Sequence, residues 1–196
     1  APVVFEFFLS STGSKLRVFA KDIEIVVDTV SLAGFQARSV NEMRDIFSSA
    51  GSRDQHKPAL RQLSLEQFEA CVMEILTSGS ERERLESDEF EFVSAVLVGV
   101  FHSLDTRQDR NDVAAVPVDE LIAGFSIFVG QGTKSEKLAS IFDAFDSEEA
   151  GLLSRHTLWR YLRSILGALS HLTEITPGDG MPFSAITAGD STFNRV

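Results

Sequence analysis

The chain is poor in cysteine, tyrosine, tryptophan, proline and basic residues, and each shortage narrows what it can be. Of 196 residues, one is Cys, one Tyr, one Trp and five Pro. A single thiol excludes an intramolecular disulfide and fits a reducing, cytoplasmic compartment. That residue, Cys71, falls beside Val72 on the apolar face of an expected helix, which makes it a buried structural thiol. No apolar run approaches the ~20 residues that a membrane helix needs, so no span is expected. The opening APVVFEFF is too short, and too free of flanking basic residues, for a secretion signal. It lacks an initiating Met and the Met-Gly of a myristoylation signal, which fits a processed or excised fragment. Lys and Arg number 18 against 29 Asp and Glu, a net charge of −11. A nucleic-acid partner is therefore not expected, because phosphate backbones are gripped by clustered basic side chains. An enzyme is not expected either. The histidines, His56, His102, His156 and His171, fall in no metal-ligand spacing, and no nucleophile elbow, Walker loop or dinucleotide fingerprint occurs.

What is abundant is apolar. Hydrophobic residues make up 43% of the chain, with 16 Phe, enough for a packed core. They recur at helical spacing: Phe90, Val93, Leu97, Val100, Phe101 and Leu104; Leu121, Phe125 and Phe128; Leu138, Ile141, Phe142 and Phe145; Leu158, Tyr161, Leu162 and Ile165. Long alternating runs are rare, so the fold class is all-α.

A repeat underlies the pattern. Four stretches end an apolar segment on Phe and then enter a loop: Phe5–Phe8, Phe47–Ala50, Phe101–Leu104 and Phe142–Phe145. Each loop holds one aliphatic residue, respectively Leu16, Leu63, Val116 and Leu153, and another apolar segment follows. The loops start at Leu9, Gly51, Asp105 and Asp146, separated by 42, 54 and 41 residues. The longer interval contains the charged stretch SGSERERLESDEFEF, a bridge between two pairs of repeats. The expected organisation is an N-terminal pair over residues 1–78, a connector over 79–87, a C-terminal pair over 88–170 and an irregular tail or linker over 171–196. Helix, short loop with a central aliphatic, helix is the plan of an EF-hand, in which oxygens at positions 1, 3, 5, 7, 9 and 12 wrap a hard cation. Position 6 is Gly for the turn, and position 12 is a bidentate Glu.

The stretch from Val118 to Leu166 resembles the middle of calcineurin B and its relatives in the EF-hand superfamily. Asp119-Glu120-Leu121, the entry Lys134 to Leu138 and the Phe-Asp-x-Phe-Asp ending at Phe142 to Asp146 carry the likeness, and LSLEQFEACV at 63–72 carries a weaker one. The resemblance implies a calcium-responsive protein whose apolar groove grips a target helix. The loops depart from it. In the first, Leu9 to Ala20, no acidic residue is present. The second, Gly51 to Gln67, is five residues too long and ends on Gln67 in place of Glu. Set from Asp109 to Glu120, the third offers Asp109, Asn111 and Glu120 at positions 1, 3 and 12. The fourth, Asp146 to Thr157, keeps Asp146, Glu148 and Gly151 at positions 1, 3 and 6 but ends on Thr157. The candidate metal ligands are thus Asp146, Glu148, Asp109, Asn111 and Glu120, with no tightly bound cofactor and at most weak Ca2+.

A helical frame that persists while its ligands erode points to binding by the helices themselves. The expectation is a non-catalytic, EF-hand-like regulatory or scaffolding protein that takes an amphipathic helix of a protein partner into Phe-rich grooves. Trp159 and Leu166, off the expected core face of the last helix, are the candidate partner contacts. A calcium sensor using the third or fourth loop, a regulatory region of a larger enzyme, and a cytoskeletal or flagellar structural component are the other readings. The expected loop bridges are Leu16 with Leu63 and Val116 with Leu153.

Overall fold

The computed structural model describes residues 2–9, 14–53, 61–77, 87–105, 114–146 and 149–175. The fold is all-α, with short antiparallel strand pairs. Strand β1 (Val3–Leu9) pairs with β2 (Ser14–Phe19), and β2 runs directly into α1 (Ala20–Ala33). The Asp22 carboxylate accepts the Phe19 amide at 2.6 Å, which satisfies an otherwise orphaned donor at the helix start. Helix α1 ends at Gly34, whose φ of 65° suits a residue without Cβ.

Two helix–loop–helix units follow. The first comprises α2 (Val40–Ala50), β3 (Ser52–Arg53), β4 (Arg61–Ser64) and α3 (Leu65–Thr77). The second comprises α4 (Ser87–Leu104), β5 (Ala115–Pro117) and α5 (Val118–Phe125). Strands β4 and β5 pair antiparallel, with Leu63 opposite Val116, and both side chains are fully buried. Around this bridge the phenylalanines interlock. The Phe68 ring stacks on Phe101 at 4.9 Å and meets Phe125 edge-on at 5.4 Å, while Phe47 meets Phe125 at 5.5 Å. Burying each ring contributes about 1.5–3 kcal/mol, and favourable ring geometry adds about 0.5–1.5 kcal/mol per pair.

A third unit of the same plan, α6 (Lys134–Phe145) and α7 (Arg155–Ile175), packs on the other two. A capping box starts α6: Thr133 receives the Glu136 amide, and Glu136 receives that of Thr133. Helix α7 lies against α4 and α5, and Gly99 permits the approach, since a Cβ there would fall 1.9 Å from the His171 ring.

Three expectations change. First, Phe5–Phe8 does not end a helix; it lies in β1, within a hairpin. Its β-branched and aromatic composition favours the extended chain. Second, the loop bridge joins Leu63 to Val116, not Leu16 to Leu63 or Val116 to Leu153; the Leu16 backbone pairs with Phe7 instead. The pair is formed by the second and third repeats. Third, the buried side of α7 is not the stripe Leu158, Tyr161, Leu162 and Ile165. Arg163, Ser164, Ala168 and Ser170 are buried, while Leu158 and Leu162 are exposed. Small residues there let α7 approach its neighbours closely. Cys71 is buried, as expected, and burial pushes its thiol up to about 11.

Candidate functional site

In an EF-hand the loop's closing residue, at position 12, begins the outgoing helix and gives the cation two oxygens. In each of the three units this residue is bonded to other protein groups. Gln67, on α3, accepts the Ser64 amide at 2.9 Å through its Oε1 and donates its own amide to Ser64 Oγ at 3.2 Å. The two residues cap α3 reciprocally, so the side chain that would close the loop on a metal closes the helix instead. Thr157, on α7, donates its amide to Ser154 Oγ at 3.1 Å, and the two hydroxyls lie 2.8 Å apart.

Glu120, on α5, is the most heavily engaged. It is buried, and guanidinium groups from α7 hold both of its oxygens. Arg160 Nε donates to Oε1 at 2.7 Å, and Arg163 donates to Oε2 at 2.6 Å. Arg160 also reaches both oxygens of Asp119, at 2.8 and 2.9 Å. The Arg160 guanidinium lies 5.5 Å from the centre of the Phe145 ring, where the aromatic face attracts a cation. The four groups balance in charge, as buried charges must to offset lost hydration. Burial raises the Asp119 carboxyl above its usual value; Glu120 adds to the rise and Arg160 opposes it. Burial pulls Arg160 down, but the Asp119 and Glu120 carboxylates outweigh it and leave the guanidinium raised.

Asp146 ends α6 and accepts the amides of Ala150 at 3.0 Å and Gly151 at 2.7 Å. Gly151 has φ 69°, the backbone expected of the glycine at position 6. The fourth loop therefore keeps an EF-hand turn, with its first carboxylate bound to the loop's own backbone. Asp109, Asn111 and Glu148 lie outside the described residues. Among the described residues no group of three or more His, Cys, Asp or Glu side chains could hold a metal ion. Trp159 and Leu166 both lie half-buried on α7. The Phe-rich interior of the paired units is filled by its own rings, with Phe47, Phe68, Phe101 and Phe125 all buried.

The sequence reading missed Arg160 and Arg163. They sit 40 and 43 residues from Glu120, and the available signal was two basic residues on a helix face otherwise read as apolar.

The fold and these loops define an EF-hand-like helix–loop–helix protein with redirected loop ends. Calcineurin B, the regulatory chain so named in Candida glabrata, is 37% identical over 60 residues, covering 31% of this chain and 34% of that protein. The match spans about a third of that relative and supports a distant EF-hand-like relationship. No family profile and no solved structure matches the chain. Among the described residues no helix is long and apolar enough to cross a membrane.

Proposed function

We propose that the chain is a non-catalytic, EF-hand-like regulatory or scaffolding protein that binds an amphipathic helix of a protein partner, with weak or no calcium dependence. The engagement of Glu120 by Arg160 and Arg163 carries this reading. The third loop offers the one carboxylate at a closing position in these units, and the guanidinium groups satisfy both of its oxygens. Calcium would have to displace two charge-assisted hydrogen bonds and leave two buried cations without their partner. Gln67 and Thr157 lack the charge altogether. The apolar frame is meanwhile intact, which argues that the helices rather than the cation serve the function. The relative is named as one subunit of an assembly, so it joins another chain; partner binding by this chain is the corresponding proposal. Its expected contacts are Trp159 and Leu166 on α7, and the setting is cytoplasmic.

The net charge of −11 favours a basic amphipathic helix. Because Trp159 is the sole Trp, its fluorescence reports on that surface directly. A Leu/Lys model helix peptide titrated into the chain should shift the Trp159 emission to the blue, equally in EDTA and in calcium. An unchanged spectrum would remove the proposed surface. A shift seen only with calcium would make the protein a switch.

A further inference from the structure

The third helix–loop–helix unit keeps the apolar residues by which the other two units grip each other, yet it exposes them. Two positions precede the loop, eight and four residues before Gly51, Asp105 or Asp146. Two follow it, five and nine residues after Leu63, Val116 or Leu153. In the first unit these are Met43, Phe47, Phe68 and Val72, and in the second Leu97, Phe101, Leu121 and Phe125; all eight are at most 3% exposed. In the third unit the same positions hold Leu138, Phe142, Leu158 and Leu162, which are 56%, 37%, 44% and 45% exposed. Leu153 is half-buried and takes part in no strand among the described residues, whereas its counterparts Leu63 and Val116 are bridged.

We infer that residues 134–175 are an unmated half of an EF-hand-like pair, and that the mate is the same unit of a second copy of this chain. The pair within the chain supplies the template. There, equivalent positions meet across the interface: Phe47 with Phe125, Phe68 with Phe101, and Phe68 with Phe125. Applied to two copies of the third unit, the same rule sets Phe142 against Leu162, Leu158 against Phe142, and Leu158 against Leu162. The antiparallel bridge sets Leu153 against Leu153. The patch is thus self-complementary, as a twofold interface requires, and twofold dimers are the commonest homo-oligomers. Charge does not oppose the contact. Residues 134–175 hold five basic and six acidic side chains, although the whole chain carries −11. This inference does not rest on partner-helix binding, which uses Trp159 and Leu166.

Sedimentation velocity of the full chain over about 1–200 μM tests it. The expected result is a species of twice the 21.5 kDa chain mass. Leu158→Asp and Leu162→Asp, each at an exposed site, should weaken the dimer at least about 100-fold, the equivalent of two lost apolar contacts, with an unchanged far-UV CD spectrum. Phe92→Asp, exposed on α4, should leave it intact. Leu153→Cys should give a disulfide-linked dimer under mild oxidation, and adding Leu158→Asp should abolish the link; Cys71 is buried and does not compete. A wild-type chain that stays monomeric throughout, as a patch covered by residues 176–196 would leave it, overturns the inference. So does a dimer that survives both aspartate variants.

Discussion

Between residues 40 and 125, two helix–loop–helix units close on each other around Leu63 and Val116. Residues 134–175 follow the same plan, with an EF-hand turn at Gly151 and a capped incoming helix, yet leave their apolar positions in water. The paired region shows that helix packing and one bridge can hold this architecture without carboxylates converging on a cation. The third unit shows that the local plan alone does not bury its own face. It needs a mate, and the surface it does bury is a polar one, the Arg160–Arg163 clamp on Asp119 and Glu120. One region is held by apolar interlock, the other by apolar contact supplemented with a buried charge network.

The contrast can be tested by substitution. Phe68→Ala removes a ring that touches three others and should cost about 3–5 kcal/mol in urea unfolding. Leu158→Ala, at the equivalent position of the third unit, should change the stability of the dilute chain by no more than about 0.5 kcal/mol. Equal losses at the two sites would remove the distinction. Next in size, Arg163→Met should cost about 3 kcal/mol, because it leaves a Glu120 oxygen buried beside no guanidinium. Adding Glu120→Gln should recover part of the loss, and a double-mutant cycle would show the coupling. Purely additive losses would mean that the clamp is not a unit. The smallest effect is on pH dependence. The folded Cys71 thiol titrates at about 11, above its ordinary 9.0. The unfolded chain therefore loses that proton first, and stability should fall as pH rises from about 9 towards 11. Cys71→Ala should flatten that part of the profile.

Much of this fold was legible in the sequence. The Phe positions before each loop and the aliphatic residue within it marked the three helix–loop–helix units, since apolar period and loop length are local signals. The phase of the pairing was not legible. Counting Phe5–Phe8 as a first helix shifted every pair by one repeat, although alternating, aromatic and β-branched residues ahead of Ser11-Thr12-Gly13 read equally well as a hairpin. Gln67 and Thr157 were legible as lost ligands; that each bonds a Ser three residues upstream follows the ordinary capping spacing. The fate of Glu120 was hidden, because a carboxylate at a loop end reads as a cation ligand until a distant helix brings two arginines to it.

The central claim is that protein groups have replaced calcium at the loop ends. The most direct measurement compares thermal unfolding of the chain in EDTA with unfolding in about 1 mM calcium, a concentration ~1,000 times a micromolar Kd. At such a site calcium would add about 4 kcal/mol, raising Tm by roughly 8–16 °C in a chain of this size. The account predicts coincident transitions. A calcium-dependent rise of that size would contradict it.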